Sequence, residues 1–374
     1  MMMMNSLSKL FEYVLFDLIS SSSNDDDYQF GFKKKHSTGL CTFSFKHVLD
    51  YYRQNGSHVF ACFIDFKKAF DYVDYWLLFS KLLDSSDTPA CLLGTRVLAH
   101  WYSHQQSFIR WHNETSECFN IGNGVRQGGV LSPYLFSFYI RSLISTLISS
   151  ETGCYIGNTC FNIFAYADDI VLLAPSWLGL QNLLNVVQGA ASDIDMIFNT
   201  KKTVCMVFNP IDKSKIVSLS FPKFVLNGQH LSYVSDFRYL GHIIDESGSD
   251  DKDIKREIRS LFARTNILNS RFKKCSIEVK LKLFKCYCMC FYDVELWNNY
   301  STTIFNRLNS CYIKCIKTFF GFAKYSSVTS MMFLLGLPTM NTIMFNTKFR
   351  FKQRLNLSSC FNNTVEYLCK VTYV

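Results

Sequence analysis

Two adjacent acids, Asp168 and Asp169, stand between two short apolar runs in Asn162-Ile163-Phe164-Ala165-Tyr166-Ala167-Asp168-Asp169-Ile170-Val171-Leu172-Leu173. Each run has the length and residue types of a strand, and the break is Ala-Asp-Asp, so the stretch predicts a hairpin with both carboxylates at its tip. Neighbouring acids repel, and burying them is costly unless a cation takes up the charge; a divalent metal held by oxygens fits that need. On its own the pair reads first as an ordinary surface turn, because Asp is common in turns. The apolar flanks Phe164, Ile170 and Leu172 set that turn on a buried scaffold instead. A third acid completes the pattern. Val59-Phe60-Ala61-Cys62-Phe63-Ile64-Asp65-Phe66 is a strand-like run carrying Asp65, followed by Lys67-Lys68-Ala69-Phe70-Asp71. A strand that delivers Asp65 beside the tip makes a three-carboxylate pocket of the kind that holds two Mg²⁺ ions about 4 Å apart.

The chain around these acids is long enough for a substantial core. Its 374 residues suggest two or three domains, and 48% hydrophobic against 18% charged residues exclude a disordered chain. A formal net charge of +9 suits a polyanionic partner. No apolar run reaches the roughly 18 residues of a membrane span, and no secretory signal is evident, so no membrane partner is expected. The 15 cysteines form no zinc pattern and read as reduced thiols of an intracellular protein working in the nucleus or cytoplasm.

Along the chain, Leu7, Leu10, Phe11, Val14, Leu15 and Leu18 mark an amphipathic helix over Ser6 to Ile19, followed by an acidic loop from Ser20 to Asp27. Tyr28-Gln29-Phe30-Gly31-Phe32 is a short extended segment that opens into the basic loop Lys33-Lys34-Lys35-His36. Ser37 then caps a helix that ends at Asn55-Gly56. Asp74 starts a helix through Leu83 with Trp76, Leu78, Leu82 and Leu83 inward, and a further helix and a hairpin lead to Gly122. The glycine-dense Gly122 to Pro133 enters a helix with Ser132 as its N-cap, continuing through Leu147. A helix over Leu180 to Ile197, the turn Asn199 to Thr203 and the strand Val204 to Phe208 follow. Phe237 to Ile244 reads as a strand with a glycine break. From Asp251 on the pattern is helical, with Lys255, Arg256, Arg259 and Arg264 beside an apolar stripe.

The order of these pieces closely resembles the reverse transcriptases of non-LTR (LINE-type) retrotransposons. Phe63 to Asp71 looks like the family's motif A, Gly124 to Pro133 like motif B, Phe164 to Asp169 like motif C, Asn199 to Thr203 like motif D and Phe237 to Gly241 like the primer grip. The resemblance implies an α+β right-hand polymerase fold: fingers, an antiparallel-sheet palm and a helical thumb. It divides the chain into an N-terminal fingers part over 1–57 and a palm over 58–245 with a fingers insertion at about 75–122. A helical thumb over 246–350 and a tail over 351–374 follow. The implied activity is RNA-directed DNA synthesis, with an RNA template, a DNA primer, dNTPs and two Mg²⁺ ions, replaceable by Mn²⁺.

The resemblance also implies roles for single residues. Asp65 and Asp168 match the acids that ligate both metals, and Asp169 matches the third. Phe66 offers a backbone carbonyl beside the metals, and Phe70 an aromatic ring against the sugar that excludes a 2′-hydroxyl. Gln127 and Gly128 line the nascent pair and template, and Lys202 matches the motif D lysine. Lys33, Lys34, Lys35, Arg126, Tyr239, Leu240 and Gly241 fall where the family contacts nucleic acid. Asp71 is expected to support its turn by hydrogen bonds rather than bind metal.

Departures from the family set the rival readings. The earlier fingers strand with Arg-Pro-Ile is replaced here by Met1 to Asn5, and no endonuclease, ribonuclease H or zinc-knuckle region is evident. The first rival is therefore a truncated, inactive remnant that at most binds nucleic acid. An RNA-dependent RNA polymerase is disfavoured by Phe70, and a group II intron maturase by the lack of a maturase-like extension.

Overall fold

A computed structural model describes residues 6–20, 28–33, 35–358, 365 and 367. Lys34, the acidic loop over 21–27, the segment 1–5 and most of the tail beyond 358 lie outside the described residues. The chain forms two compact units, one of Met1–Cys41 with Tyr52–Tyr233 and one of Thr42–Tyr51 with Val234–Val374.

The first unit begins with α1 (Ser6–Ile19) and contains both ends of α2 (Thr38–Gln54), then β1 (Val59–Ile64), α3 (Tyr75–Asp84) and α4 (Pro89–Ser103). A hairpin of two short ladders follows: β2 (Gln106–Ser107) pairs with β5 (Phe119–Asn120), enclosing β3 (Arg110–Trp111) and β4 (Glu114–Thr115). Next come α5 (Ser132–Tyr139), α6 (Arg141–Ser149) and the hairpin β6 (Cys154–Ile156) with β7 (Thr159–Phe161). Then follow β8 (Ile163–Tyr166), β9 (Asp169–Ala174), α7 (Trp177–Ser192) and β10 (Val204–Phe208). The small hairpin β11 (Val225–Leu226) with β12 (Gln229–His230) and the strand β13 (Ser232–Tyr233) complete the unit.

Five of these strands form one sheet in the order β13-β10-β1-β9-β8, antiparallel except for the β10–β13 pair. β1 is central and every residue of it is buried, which is why its sequence is a continuous apolar run rather than an alternation. Phe60, Cys62 and Ile64 of β1 join Ile170 and Leu172 of β9 in a core with Leu143 and Leu147 of α6 and Leu183 and Val187 of α7.

The second unit holds the middle of α2 and a hairpin of β14 (Asp236–Tyr239) and β15 (His242–Asp245). Its remaining helices are α8 (Asp251–Phe272), α9 (Ile277–Tyr287), α10 (Thr302–Phe320), α11 (Val328–Leu335) and α12 (Met340–Ser358). The expected single strand over Phe237 to Ile244 is thus corrected to two strands. Leu240 (φ 45°) and Gly241 (φ 91°) form a two-residue turn with both residues left-handed, the geometry that suits a tight hairpin. Along α8, Arg256 grips the buried Asp253, Arg264 pairs with the buried Glu257, and the Trp297 indole N–H donates to Asp253 at 2.8 Å. Among the described residues no single helix is long and apolar enough to cross a membrane.

Three local expectations are corrected. Helix α1 forms where its periodicity predicts, but Leu7, Leu10, Phe11, Val14 and Leu18 face outward, while Glu12, Leu15 and Ile19 are buried. In α3, Trp76 and Leu83 are exposed, and Tyr75 and Phe79 take the inward places. Ser132 is the first residue of α5 rather than its N-cap; its hydroxyl donates to the Arg126 carbonyl, and the helix is followed by a break at Ile140 before α6.

Candidate active site

The β8–β9 hairpin closes at the pair Tyr166↔Asp169, leaving Ala167 and Asp168 as a two-residue turn. Ala167 is left-handed at φ 57°. β1 runs antiparallel to β9, and their ladder ends at Ile64 opposite Ile170, the residues that adjoin Asp65 and Asp169. The three acids read from the sequence therefore lie at the same end of neighbouring strands. Each is electrostatically coupled to the others. Desolvation, then the charges of Asp168 and Asp65, push the Asp169 carboxyl up to about 6, although its side chain still reaches solvent. Asp168 is raised as well, by desolvation first and then by Asp65, against an opposing hydrogen bond from its own backbone.

Backbone ties fix Asp65 from the opposite side. Its N–H donates to the buried Thr203 hydroxyl at 3.2 Å, and its carbonyl accepts from Asn199 N–H at 2.7 Å. Phe66 forms an antiparallel bridge with Phe198, and the rings stack at 5.0 Å. The bridge's hydrogen bonds come from Lys67 N–H to Ile197 and from Asn199 N–H to Asp65, so the Phe66 carbonyl is not used in it. Lys202 is exposed in the turn that Asn199 closes, in the segment tied to Asp65.

Among the described residues none of the three carboxylates pairs with a lysine or arginine, and no three His, Cys, Asp or Glu side chains are gathered closely enough to hold a metal ion as they stand. An all-oxygen donor group with two raised carboxyls and no internal counter-ion suits a hard divalent cation such as Mg²⁺ or Mn²⁺. Asp65, Asp168 and Asp169 are the residues that would hold it.

Motifs A and B are zipped together. Val125 N–H donates to Phe70 at 2.8 Å, and Gly124 N–H to Val73 at 2.8 Å. The Gln127 amide reaches the Asp71 carboxylate at a long 3.5 Å. Gly128 is exposed at φ 83° with open space around it, so glycine is needed there for the backbone rather than for room. The Phe70 ring stacks on Phe136 at 4.4 Å and 13°, which braces it.

Two residues that the sequence reading set toward nucleic acid are engaged inside the protein. The Arg126 guanidinium lies 4.2 Å over the Trp101 ring and donates to the Gln105 side chain at 3.1 Å. Tyr239 is buried with its ring 5.7 Å from Phe45, leaving Leu240 and Gly241 at the hairpin turn, where the Tyr292 hydroxyl donates to the Leu240 carbonyl at 2.6 Å. Lys33 and Lys35 lie in the loop after Gly31, Lys35 at φ 64°. On α8, Arg256 and Arg264 are taken up by acids. Lys255, Arg259 and Arg307 are exposed and line a cavity of about 380 Å³ with Ile243 and Ile258.

Two supports of the site escaped the sequence reading. Glu12 is fully buried and accepts from the backbone N–H groups of Val130 and of Leu131 (3.3 Å) at the start of α5. Gln29 is 2% exposed and bonds to both poles of Ala167. The local signal for each was a polar side chain with apolar or aromatic residues on both sides, Phe11 and Tyr13 about Glu12, Tyr28 and Phe30 about Gln29.

Residues 1–244 match the family described as reverse transcriptase (RNA-dependent DNA polymerase). The chain belongs to the reverse transcriptase family. Its relatives include the RNA-directed DNA polymerase from mobile element jockey of Drosophila funebris, 24% identical over 94% of this chain and 38% of that protein. The probable RNA-directed DNA polymerase from transposon BS of Drosophila melanogaster is 26% identical over 94% of this chain and 39% of its own. The Pol polyprotein of the retrotransposable element R2DM from the same fly is 29% identical over 61% of this chain and 22% of its own. The chain thus spans about two fifths of the length of the first two relatives. Among solved structures, apo telomerase from Candida tropicalis aligns at a TM-score of 0.44 with 13% identity, over 97% of this chain and 61% of that one. The resemblance to non-LTR retrotransposon reverse transcriptases holds, and the mixed helices and sheets agree with the expected α+β class.

Proposed function

We propose that this chain carries out RNA-directed DNA synthesis, extending a primer 3′-hydroxyl with dNTPs on an RNA template. The observation that supports the reading is the β1–β9 ladder ending at Ile64 and Ile170, which brings the ends that carry Asp65 and Asp169 together beside the Asp168 turn. Asp65, Asp168 and Asp169 hold the divalent cations, two Mg²⁺ ions in our reading, with the Phe66 carbonyl as a further ligand. When bound, the cations supply Lewis-acid stabilisation of the attacking oxygen and of the leaving pyrophosphate. The chain's own residues do the positioning. Phe70, braced by Phe136, presses on the incoming sugar and leaves no room for a 2′-hydroxyl. Gln127 and Gly128 line the nascent pair. Lys202 neutralises, or gives a proton to, the departing pyrophosphate. Lys33 to Lys35 and the turn Leu240-Gly241 contact nucleic acid. Lys255, Arg259 and Arg307 grip the phosphates of the template–primer duplex as part of a helical thumb. In this division 1–57 is fingers, 58–245 palm with an insertion at about 75–122, and 246–350 thumb.

The test is primer extension by the purified chain on poly(rA)/oligo(dT), with Asp168→Asn as control. Mg²⁺-dependent incorporation of dTTP that Asp168→Asn abolishes is the expected result. Primer–template binding without any extension by the intact chain would favour the inactive-remnant reading.

A further inference from the structure

The hairpin tip that carries Asp168 is built on an unfavourable residue. In a two-residue turn with a left-handed first position glycine is preferred, because a Cβ there crowds the following carbonyl. This chain has Ala167 at that position, with φ 57°. Something must hold the turn in that form, and the candidate is a side chain 138 residues earlier.

Gln29 sits in the extended segment that lies along β8, bridged in parallel to Ala165. Phe30 N–H donates to the Ala165 carbonyl at 2.7 Å, and Ala165 N–H to the Tyr28 carbonyl at 3.0 Å. That pairing aims the Gln29 side chain at the turn. Its Oε1 accepts from Ala167 N–H at 3.0 Å and from Gly31 N–H at 2.8 Å, while its Nε2 donates toward the Ala167 carbonyl at 3.4 Å. One carboxamide thus holds both peptide groups that flank the left-handed residue. No other uncharged side chain of that length offers an acceptor and a donor at a single end. At 2% exposure, water does not compete for these bonds. Gly31 completes the fit, since a Cβ at that position would stand 2.5 Å from the Ala167 nitrogen.

We propose that Gln29 is a positioning residue for the Asp168 carboxylate: it fixes the Ala167 peptide and so the direction in which the next residue presents its oxygens to a divalent cation. The proposal rests on reading Asp65, Asp168 and Asp169 as the metal-holding acids.

The test is Mn²⁺ binding by the full chain, followed by titration calorimetry, for wild type, Gln29→Leu, Gln29→Leu/Ala167→Gly and Asp168→Asn. Gln29→Leu is expected to weaken Mn²⁺ binding by about tenfold or more, the usual effect of removing a group that orients a metal ligand. Glycine at 167 adopts the left-handed form without help, so the double variant is expected to recover most of that loss. In primer extension, raised Mg²⁺ is expected to restore Gln29→Leu but not Asp168→Asn. Wild-type Mn²⁺ affinity in Gln29→Leu overturns the proposal, as does a loss that Ala167→Gly leaves unchanged, which would mark a general loosening. If Gln29→Leu does not fold, Gln29→Glu keeps the length and the acceptor but removes the donor. A loss of affinity in it that Ala167→Gly reverses supports the proposal, and unchanged affinity overturns it. If Asp168→Asn binds Mn²⁺ like wild type, the reading of the acids themselves fails, whatever Gln29 does.

Discussion

Replacing Glu12 with Ala removes a support that lies far in sequence from everything it holds. Glu12 is 0% exposed, and one of its oxygens accepts from the backbone N–H groups of Val130 and Leu131, at the start of α5. Without it the buried Leu131 donor and the half-buried Val130 donor are unpaired, at up to about 1–3 kcal/mol each. Losing an acceptor at a buried helix N-terminus adds about 1 kcal/mol. Relief from burying the carboxyl group offsets part of this, so the expected net destabilisation is about 3 kcal/mol. Trp101 reports on the region, because it packs edge-on against Phe11 of α1 at 4.9 Å and carries the Arg126 guanidinium on its face. Urea unfolding followed by tryptophan fluorescence measures the shift. Primer extension measures the second effect: the loop from Arg126 to Leu131 carries Gln127 and Gly128, so KM for dNTP is expected to rise more than kcat falls. A variant within about 0.5 kcal/mol of wild type, the range of ordinary surface substitutions, with unchanged KM would refute the argument.

Further predictions follow from single contacts. Gly31→Ala places a methyl group 2.5 Å from the Ala167 nitrogen and must shift the hairpin tip. Extension is expected to drop by about a hundredfold while primer–template affinity, read by gel shift, stays as it was. Phe70→Ala is expected to reduce discrimination against rNTPs by about tenfold or more in single-nucleotide incorporation; an unchanged ratio would remove Phe70 from the sugar gate. His242 is buried, which by itself lowers its pKa, but Asp250, Asp293 and Asp253 outweigh both burial and Lys46 and hold it above its ordinary value. Its contribution is therefore complete below about pH 6.5 and lost as pH rises through the higher folded value. The stability difference between wild type and His242→Gln, from urea midpoints across that range, is expected to shrink with rising pH.

The sheet and its acids were legible because strand signals are local. β1 and β9 are short apolar runs with β-prone residues, and Val204–Phe208 forms the strand its composition suggests. Helix faces were less legible where packing overrode periodicity. In α1 the apolar stripe of Leu7, Leu10 and Val14 points outward, because the opposite side carries Glu12, whose hydrogen bonds to Val130 and Leu131 no periodicity can register. At α5 the distant partner again decides: the helix has no side-chain cap, Ser132 lies inside it, and the N–H of its N-cap residue Leu131 donates to Glu12 of another helix. Gln29 lay in a stretch that stood out in the sequence, but its partner is 138 positions away, and nothing local signals a left-handed alanine.

The seat that helix 6–19 provides for the glycine-rich loop bears on how damaged copies should be judged. A shortened relative starting after residue 20 would still display all three aspartates and the intact Arg-Gln-Gly-Gly signature. It would lack the Glu12 acceptor for the Val130 and Leu131 N–H groups beneath that signature, and tallying motifs would pass it as whole. Whether such a copy works is better judged by one inward glutamate than by the aspartates themselves.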